Sequence, residues 1–358
     1  MIKKRRLDLH KSNENIGQVF DENLGKLVPA AENRFAAIWH NLADPRIGAE
    51  TILSSDEWFG PMERMLDHRA VQYIPGKYDQ NGKWMDGWET RRRRAHGNDF
   101  CIVKLAVAGK IKAINIDTTF FTENFPPAAS LDACYSETGP DKDTKWVEVL
   151  PPVSLNGDSQ HLHELSIDGT WTHVRLNIYP DGGIARLRVY GEPTLNWDEA
   201  NGNLVDLISI KNGGWLLECS DQHWGSPANI IYPGTGKNMG EGWETRRRRE
   251  PGNEWALFRL GWPGTVEKVC VDTTHFKGNY PDKCSIRAAY IPGRDFSAMS
   301  SCNFWKYLLP EQKLKMDNAH FFSTEISEIG PISHILINLI PDGGVNRLRL
   351  LGKPTQTV

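Results

Sequence analysis

The sequence lacks the features that mark several large classes of protein. No apolar run approaches the ~20 residues that a membrane-spanning helix needs, and the charged N-terminus has no apolar segment of the kind found in signal peptides. The net charge of −3 gives no general attraction to nucleic acid or to an anionic membrane. We therefore expect a soluble, cytoplasmic protein with no nucleic-acid or membrane partner.

Cysteine and the common catalytic signatures are also scarce. The six cysteines of the 358 residues include no Cys-x-x-Cys pair, which predicts reduced and mostly buried thiols rather than a disulfide framework. Gly-x-Ser-x-Gly, His-Glu-x-x-His and a phosphate-binding Gly-rich loop before a helix are all absent. These absences exclude the enzyme classes that those motifs define.

The dominant feature of the sequence is an internal repeat. The segment Gly-Trp-Glu-Thr-Arg-Arg-Arg-Arg, here called the signature segment, occurs at residues 87–94 and again at residues 242–249. The Asp-Thr-Thr that begins at Asp117 returns at Asp272 with the same offset of 155 residues. Such a period is too long for a solenoid or propeller, whose repeats run roughly 20–50 residues. It indicates a duplicated globular domain.

Loop lengths differ between the two copies. Ser55-Asp-Glu-Trp-Phe-Gly60 matches Ser220-Asp-Gln-His-Trp-Gly225 at an offset of 165 residues, so the first copy carries ten extra residues before its signature segment. The predicted organisation is an N-terminal extension, the first repeat, a polar linker and the second repeat. These segments are 1–40, 41–193, 194–203 and 204–358. Apolar positions between Val19 and Trp39 are compatible with a short helix in the extension.

Short strands separated by Gly, Pro and Asp turns account for most of each repeat. Phe100–Val107 and Ile111–Ile116 are predicted as two strands joined by a short Gly-Lys connection. A Pro-Asp-Gly-Gly turn begins at Pro180 and again at Pro341, where glycine can adopt the positive φ that the turn requires. The pattern predicts an all-β fold of two tandem β-sandwich domains.

The four consecutive arginines allow two interpretations. They could form a phosphate or nucleic-acid patch. Alternatively, an extended segment would place alternate side chains in solvent and against carboxylates inside the domain. Both copies keep all four arginines, which favours a structural role in at least one copy. Glu89 and Glu244, or Asp117 and Asp272, are the predicted partners, because an inward arginine without an acid would be costly.

The sequence leaves the roles of two further groups of polar residues undecided. Asp117-Thr-Thr follows a predicted strand and either forms a local turn or contributes a catalytic carboxylate. His161 and His163 would share one face of a strand, a spacing that permits metal binding but is weak evidence for it. Isolated histidines are more often surface or core residues with satisfied hydrogen bonds.

Taken together, the motifs resemble those of one family. The matching segments are residues 42–49, 55–59, 82–94, 117–121, 124–126 and 173–183 of the first copy, with 238–246, 272–279 and 341–344 of the second. The chain is identified on these segments as a member of the allantoicase (allantoate amidinohydrolase) family. The resemblance implies two jelly-roll domains of the galactose-binding-like type, hydrolysis of allantoate to ureidoglycolate and urea in purine breakdown, and a homo-oligomer.

The chemistry of allantoate suggests which residues form the site. The substrate carries a carboxylate and two ureido groups on one carbon, so a site must hold the carboxylate, protonate the departing urea and direct water to that carbon. The sequence requires no cofactor; it leaves a divalent metal open without supporting it. The predicted catalytic residues are Glu89, Asp117, His161 and His163, and the predicted substrate-binding residues are Arg91, Arg93, Asn124 and Arg246.

Two alternatives to an enzyme remain at the level of sequence. The same sandwich fold can serve as a non-catalytic module that binds carbohydrate or another small molecule, and the arginine runs could bind nucleic acid. If the chain is an enzyme, the first copy is expected to contribute more of the chemistry. It has the longer loop before the signature segment, and it keeps His161 and His163 where the second copy has His320 and Phe322.

Overall fold

The computed structural model describes the backbone of residues 18–21 and 26–29 and all of residues 34–291 and 305–355. The chain divides into two compact units between residues 192 and 193. Each unit contains one repeat and is built almost entirely of antiparallel strands. The predicted all-β class with two tandem β-sandwich domains is confirmed.

The strands of the first unit surround one long central strand. In chain order they are β1 (Gln18–Asp21), β2 (Lys26–Pro29), β3 (His40–Asn41), β4 (Glu50–Ser54), β5 (Tyr78–Asp79), β6 (Gly82–Lys83), β7 (Trp88–Glu89), β8 (Asp99–Asp117), β9 (Ala128–Cys134), β10 (Val147–Ser154), β11 (Gln160–Glu164), β12 (Trp171–Tyr179), β13 (Gly183–Ile184) and β14 (Arg186–Pro193). Two 3₁₀ turns, Pro45–Ile47 and Met62–Leu66, connect strands of this unit.

The second unit follows the same order. Its strands are β15 (Val205–Asp206), β16 (Trp215–Cys219), β17 (Trp243–Glu244), β18 (Glu254–Asp272), β19 (Lys283–Ala289), β20 (Lys306–Lys313), β21 (Ala319–Phe322), β22 (Ile332–Ile340), β23 (Gly344–Val345) and β24 (Arg347–Pro354). The 3₁₀ turns are Ile210–Asn212, Pro227–Ile231 and Met239–Glu241, and one α-helical turn, Trp197–Ala200, lies within the predicted linker.

The predicted break in the central strand is wrong, because β8 continues through Gly109 for 19 residues. Its first half pairs with β12 and β4, and its second half pairs with β11 and β14. The strand therefore belongs to both layers of the sandwich, as strands at sandwich corners do. A Cβ at Gly109 would lie 2.8 Å from Leu42 Cδ1 and 2.9 Å from the Glu192 carbonyl oxygen. Glycine serves close packing here rather than a turn.

The core lies between the two layers that share β8. Val103 and Leu176 come from the first layer, Ile114 and Leu187 come from the second, and all four side chains are fully buried in one cluster. Strand β18 makes the same change of partners in the second unit, from β22 and β16 to β24 and β21. The repeat in sequence is thus a repeat in topology.

The N-terminal extension differs from its prediction. Strands β1 and β2 pair with each other in the register Val19↔Val28, and residues 34–38 form a turn, so the predicted helix is wrong where the structure describes this segment. The apolar positions occur in short pairs, too few to form a helical stripe.

The five described cysteines are free thiols. No helix in the described residues is long and apolar enough to cross a membrane.

Candidate active site

The signature segment is held by glycines and by its tryptophan. A Cβ at Gly87 would lie 2.4 Å from the Ile184 carbonyl oxygen, so only glycine permits this approach to β13. Trp88 is fully buried, and its Nε1 donates to the Asp56 carbonyl oxygen at 2.8 Å. Glu89 follows on the same two-residue strand and pairs with Gly183. Gly-Trp therefore fixes the backbone and presents the Glu89 side chain.

The Pro-Asp-Gly-Gly turn clamps the signature segment from the other side. Asp181 Oδ2 accepts from the Arg93 backbone N at 2.7 Å, and the Gly182 carbonyl accepts from Thr90 N at 3.1 Å. Gly182 has φ of 143°, as predicted for a glycine of this turn. Gly183 N donates to the Asn124 carbonyl oxygen at 2.7 Å. Two motifs about 90 residues apart in the chain thus form one structure.

Glu89 and Asn124 form a side-chain pair at the surface of this structure. Asn124 Nδ2 donates to Glu89 Oε1 at 2.7 Å. Burial raises the pKa of Glu89; the Asn124 hydrogen bond and the charge of Lys83 oppose this, and Asp79 adds to it. A carboxyl whose pKa is raised in this way keeps its proton to higher pH, which suits a group that transfers protons. The structure brings these two predicted site residues together.

The loop that is ten residues longer in the first copy forms a hairpin before the signature segment. Strands β5 and β6 form a hairpin with Tyr78 opposite Lys83. Lys83 Nζ lies 5.2 Å from the centroid of the Tyr73 ring, and the Tyr73 ring lies 5.6 Å from that of Phe120. Phe120 has φ of 67°, and His275 at the equivalent position of the second repeat has φ of 75°, so both repeats keep this uncommon conformation.

Sequence reasoning missed Lys83, Asp79, Tyr73 and Phe120 as neighbours of the site. The available signal was the Asn81-Gly82 dipeptide inside the inserted loop, which is typical of a tight hairpin. A hairpin that folds back would carry its charged residues toward the signature segment.

A cleft of about 520 Å³ lies beside the segment that precedes the hairpin, and Glu89 and Asn124 are not among the residues that line it. Its lining includes Trp58, Phe59, Arg64, Asp79 and Asn81, which come from the hairpin and from the segment before it. Phe59 N donates to the Glu89 carbonyl oxygen at 3.2 Å. The volume is in the range of small-molecule sites.

The arginines of the signature segment bind carboxylates, but not the ones predicted. Arg91 Nε donates to Asp56 Oδ2 at 2.7 Å, and Arg93 Nη1 donates to Asp99 Oδ1 at 2.7 Å. The predicted partners Glu89 and Asp117 are therefore wrong. Hydrogen bonds from Arg91 lower the pKa of Asp56 although burial alone would raise it. The predicted alternation along the segment is wrong: Arg91 and Arg93 would share one face of an alternating segment, yet the Arg91 side chain is 61% exposed and that of Arg93 is 28% exposed. Arg92 and Arg94 are exposed as well.

The second repeat makes the same arginine contacts. Arg246 N donates to Asp221 Oδ2 at 2.8 Å, and its exposed Nε lies 3.5 Å from Asp221 Oδ1. Arg248 Nη1 donates to Glu254 Oε1 at 2.9 Å. Both repeats therefore keep these two ion pairs, and Glu244 and Asp272 are not among the partners.

Asp117 sits at the end of β8 with its side chain turned to local backbone. Its Oδ1 accepts from Thr119 N at 2.8 Å, and Asp272 Oδ1 accepts from Thr274 N at the same distance. Burial raises the pKa of Asp117 despite these bonds and the charges of Arg188 and Arg186. The local-turn interpretation describes its observed contacts.

His161 and His163 lie on the edge strand β11, opposite the second half of β8. His161 Nδ1 donates to the Ile116 carbonyl oxygen at 2.9 Å, and its Nε2 accepts from Asn156 N at 2.9 Å. His320 makes the equivalent two bonds in the second repeat. His163 Nε2 is buried and has no hydrogen-bond partner in the described structure; burial, followed by the charge of His161, lowers the pKa of His163.

No hydrogen bond links either histidine to Glu89 or Asn124 in the residues that the structure describes. Within the same residues, no three His, Cys, Asp or Glu side chains cluster as a metal site would require.

The second repeat has a counterpart of the Glu89–Asn124 pair with different surroundings. Asn279 Nδ2 donates to Glu244 Oε1 at 2.6 Å, and the same Nδ2 lies 3.7 Å from Met239 Sδ. The described residues between Gly225 and Gly242 form two 3₁₀ turns rather than a hairpin, and Asn238 occupies the position equivalent to Lys83. The duplicated pair therefore has a charged neighbour in one repeat and a thioether neighbour in the other.

Comparison with known proteins connects this geometry to a family. A family model described as "Allantoicase repeat" matches residues 40–194 and 205–355. A protein named "Probable allantoicase 1" from Burkholderia mallei is 54% identical over 89% of this chain and 95% of its own length. One named "Probable allantoicase" from Photobacterium profundum is 53% identical over 87% of this chain and 96% of its own.

A solved structure gives the same result. The crystal structure of allantoicase from Saccharomyces cerevisiae superposes with a TM-score of 0.71 at 34% identity, and the match covers 87% of this chain and 92% of that one. Each of the two matched ranges contains one signature segment and one hydrogen-bonded glutamate–asparagine pair. The chain therefore belongs to the allantoicase family.

Proposed function

We propose that this chain hydrolyses allantoate to ureidoglycolate and urea at the Glu89–Asn124 pair of the first repeat. Membership of the allantoicase family supports the reaction. The observation that supports the place is a partly buried carboxyl of raised pKa that is hydrogen-bonded to an amide side chain. Chemically, the C–N bond to one ureido group breaks, urea leaves with an added proton, and the hydroxyl of water remains on the carbon.

Glu89 is the proton-transfer group in this proposal. In its neutral form it gives its proton to the nitrogen of the departing urea. As a carboxylate it then takes a proton from the water that adds to the central carbon, which restores the starting state. Asn124 fixes one carboxyl oxygen through the 2.7 Å hydrogen bond, and amide groups of this type suit the ureido groups of the substrate.

The contacts support structural roles for several residues that were predicted as catalytic or substrate-binding. Asp117 closes a turn, His161 bonds backbone through both ring nitrogens, and Arg93 neutralises Asp99. Arg91 and Arg246 are exposed and bound to aspartate. The catalytic role of His163 stays a prediction; its buried Nε2 has no hydrogen-bond partner among the described residues.

The first repeat is the proposed catalytic copy. Its hairpin carries the charges of Lys83 and Asp79, which act on Glu89 in opposite directions. In the second repeat, Met239 lies against Asn279 instead.

We also propose that the protein acts as a cytoplasmic homo-oligomer. Light scattering after size-exclusion chromatography would measure the mass of the assembly and so test the oligomeric state. A chelator applied to active protein would decide whether a divalent metal takes part.

Urea release tests the proposal directly. Purified protein should convert allantoate to equal amounts of urea and ureidoglycolate, and it should leave allantoin intact because opening that ring is a different reaction. Absence of turnover both with and without added divalent metal would contradict the proposal and favour a non-catalytic module that binds small molecules or carbohydrate.

A further inference from the structure

Two of the four arginines in the signature segment take no part in holding the fold. Arg91 and Arg93 are each bound to an aspartate. Arg92 and Arg94 are exposed, and within the described part of the chain neither side chain forms an ion pair or a hydrogen bond. The charges of these two guanidinium groups are therefore not neutralised by a local partner.

The second repeat keeps the same arrangement. Arg246 and Arg248 have acidic partners, and Arg247 and Arg249 are exposed without one among the described residues. The two signature segments are identical over eight residues, although the loops that precede them differ in length by ten residues. Substitutions at exposed positions usually change stability very little. Stability thus does not explain why both copies carry the two unpaired arginines, and a role toward a molecule in solvent does.

The charges around the first signature segment leave a positive surplus. Arg91 and Arg93 are balanced by the aspartates that they bind. Among the described residues that contact the segment, Asp181 is the acid without an arginine partner, and its Oδ2 accepts from the Arg93 backbone N at 2.7 Å. Two free guanidinium groups outweigh one carboxylate. In a chain whose net charge is −3, a small anion is therefore repelled by the whole and attracted at this segment.

Covalent geometry limits the distance between these charges and Glu89. An extended chain spans at most about 3.6 Å per residue, so the Arg92 Cα lies within about 11 Å of the Glu89 Cα and the Arg94 Cα within about 18 Å. The Debye length is about 30 Å at 0.01 M ionic strength and about 3 Å at 1 M. Both charges consequently act on an anion that arrives at Glu89 in dilute salt, and neither does so in concentrated salt.

We propose that Arg92 and Arg94 attract the carboxylate-bearing substrate to Glu89, and so make the site selective for anionic over neutral ureides. This inference rests on the proposed function of the same site. The attraction acts at long range, so it raises the rate of association of allantoate and leaves the chemical step unchanged. It also gives a use to the two arginines of the signature segment that the scaffold leaves free.

The test is the double variant Arg92→Gln/Arg94→Gln, measured over a range of sodium chloride concentrations. At about 0.01 M ionic strength we expect kcat/KM for allantoate to fall about two- to five-fold, which is the effect of two unit charges at these distances in water. The loss should disappear near 1 M salt. The value of kcat and the inhibition constant of urea, which is uncharged, should not change. Arg92→Lys/Arg94→Lys keeps both charges and should behave as the wild type.

The matched control is Arg247→Gln/Arg249→Gln, which removes the same two charges from an identical segment of the chain. It should leave kcat/KM unchanged at every salt concentration. Equal losses in the two double variants would overturn the inference, because the effect would then follow the net charge of the chain. A fall in kcat, or a loss of kcat/KM that persists at 1 M salt, would also overturn it by indicating direct contact or a distorted segment.

The remaining outcomes separate this inference from the proposed function. If the wild type releases urea and Arg92→Gln/Arg94→Gln has the same kcat/KM at 0.01 M ionic strength, the inference alone is refuted. If the wild type releases no urea, the proposed function is refuted and the inference with it. The unfolding temperature of both double variants should equal that of the wild type, because all four side chains are exposed.

Discussion

Replacing Glu89 by glutamine, with the same change at Glu244 as its control, separates catalysis from structure. Glutamine keeps the volume of the side chain and an oxygen that can accept the 2.7 Å hydrogen bond from Asn124. It cannot transfer a proton. The backbone pairing of Glu89 with Gly60 and Gly183 does not involve the side chain. We therefore expect the free energy of unfolding of Glu89→Gln to change by less than about 1 kcal/mol.

The expected kinetic effect is large and confined to one copy. Loss of a general acid–base group costs roughly 10²- to 10⁴-fold in kcat, or about 3 to 5 kcal/mol of barrier. Glu244→Gln removes the same hydrogen-bonded carboxylate from the second repeat, where Oε1 lies 2.6 Å from Asn279 Nδ2. It should leave kcat unchanged. Urea release at saturating and at limiting allantoate, with unfolding in guanidinium chloride as the stability measurement, gives both quantities.

The pH dependence adds a second readout for Glu89. Burial disfavours the charged carboxylate and raises the pKa of Glu89, so the neutral acid persists to higher pH than in a free glutamate. Since the acid form protonates the departing urea, kcat/KM should fall as the pH rises through the pKa of Glu89, and Glu89→Gln should lack that limb of the profile. A folded Glu89→Gln variant with near-normal kcat would refute the reasoning. Equal losses in the two copies would show that both repeats contribute a site.

Three further predictions concern residues that we assign to the scaffold. His161→Ala and His320→Ala should each lower the free energy of unfolding by about 1–3 kcal/mol in a guanidinium titration, because each leaves a backbone N–H and a carbonyl unbonded; a loss of kcat in folded His161→Ala alone would indicate catalysis. Arg93→Met and Arg248→Met should each destabilise by about 3 kcal/mol, since each leaves a buried carboxylate unpaired; lost activity at unchanged stability would instead place Arg93 in substrate binding. Asp117→Asn keeps the acceptor for Thr119 N and should be at least as stable as the wild type at neutral pH. Because burial raises the pKa of Asp117 in the folded state, wild-type stability should decline as the pH rises from the ordinary carboxyl pKa of 3.8 through the raised pKa. Thermal unfolding of Asp117→Asn over the same pH range should lack this decline.

Much of the architecture could be predicted from the sequence because the information is local or repeated. The signature segments and the Asp-Thr-Thr turns recur at a constant offset, and the short strands with period-two patterning predict an all-β class without knowledge of their partners. The glycine at position 182 was predictable from turn chemistry, since its φ of 143° is open to glycine and to few other residues. The family was predictable for the same reason.

Only the tertiary structure shows which residues that are distant in the sequence contact each other. The partner of Arg93 is Asp99 rather than Glu89, because the direction of a side chain depends on how the segment leaves β7. Gly109 looks like a turn in sequence, yet it lies inside a continuous strand, where Leu42 and the backbone of Glu192 pack closely against it. Lys83 lies opposite Tyr78 only because the chain between them folds into a hairpin. Pairings of this kind depend on long-range register, on which local patterns of polarity carry little information.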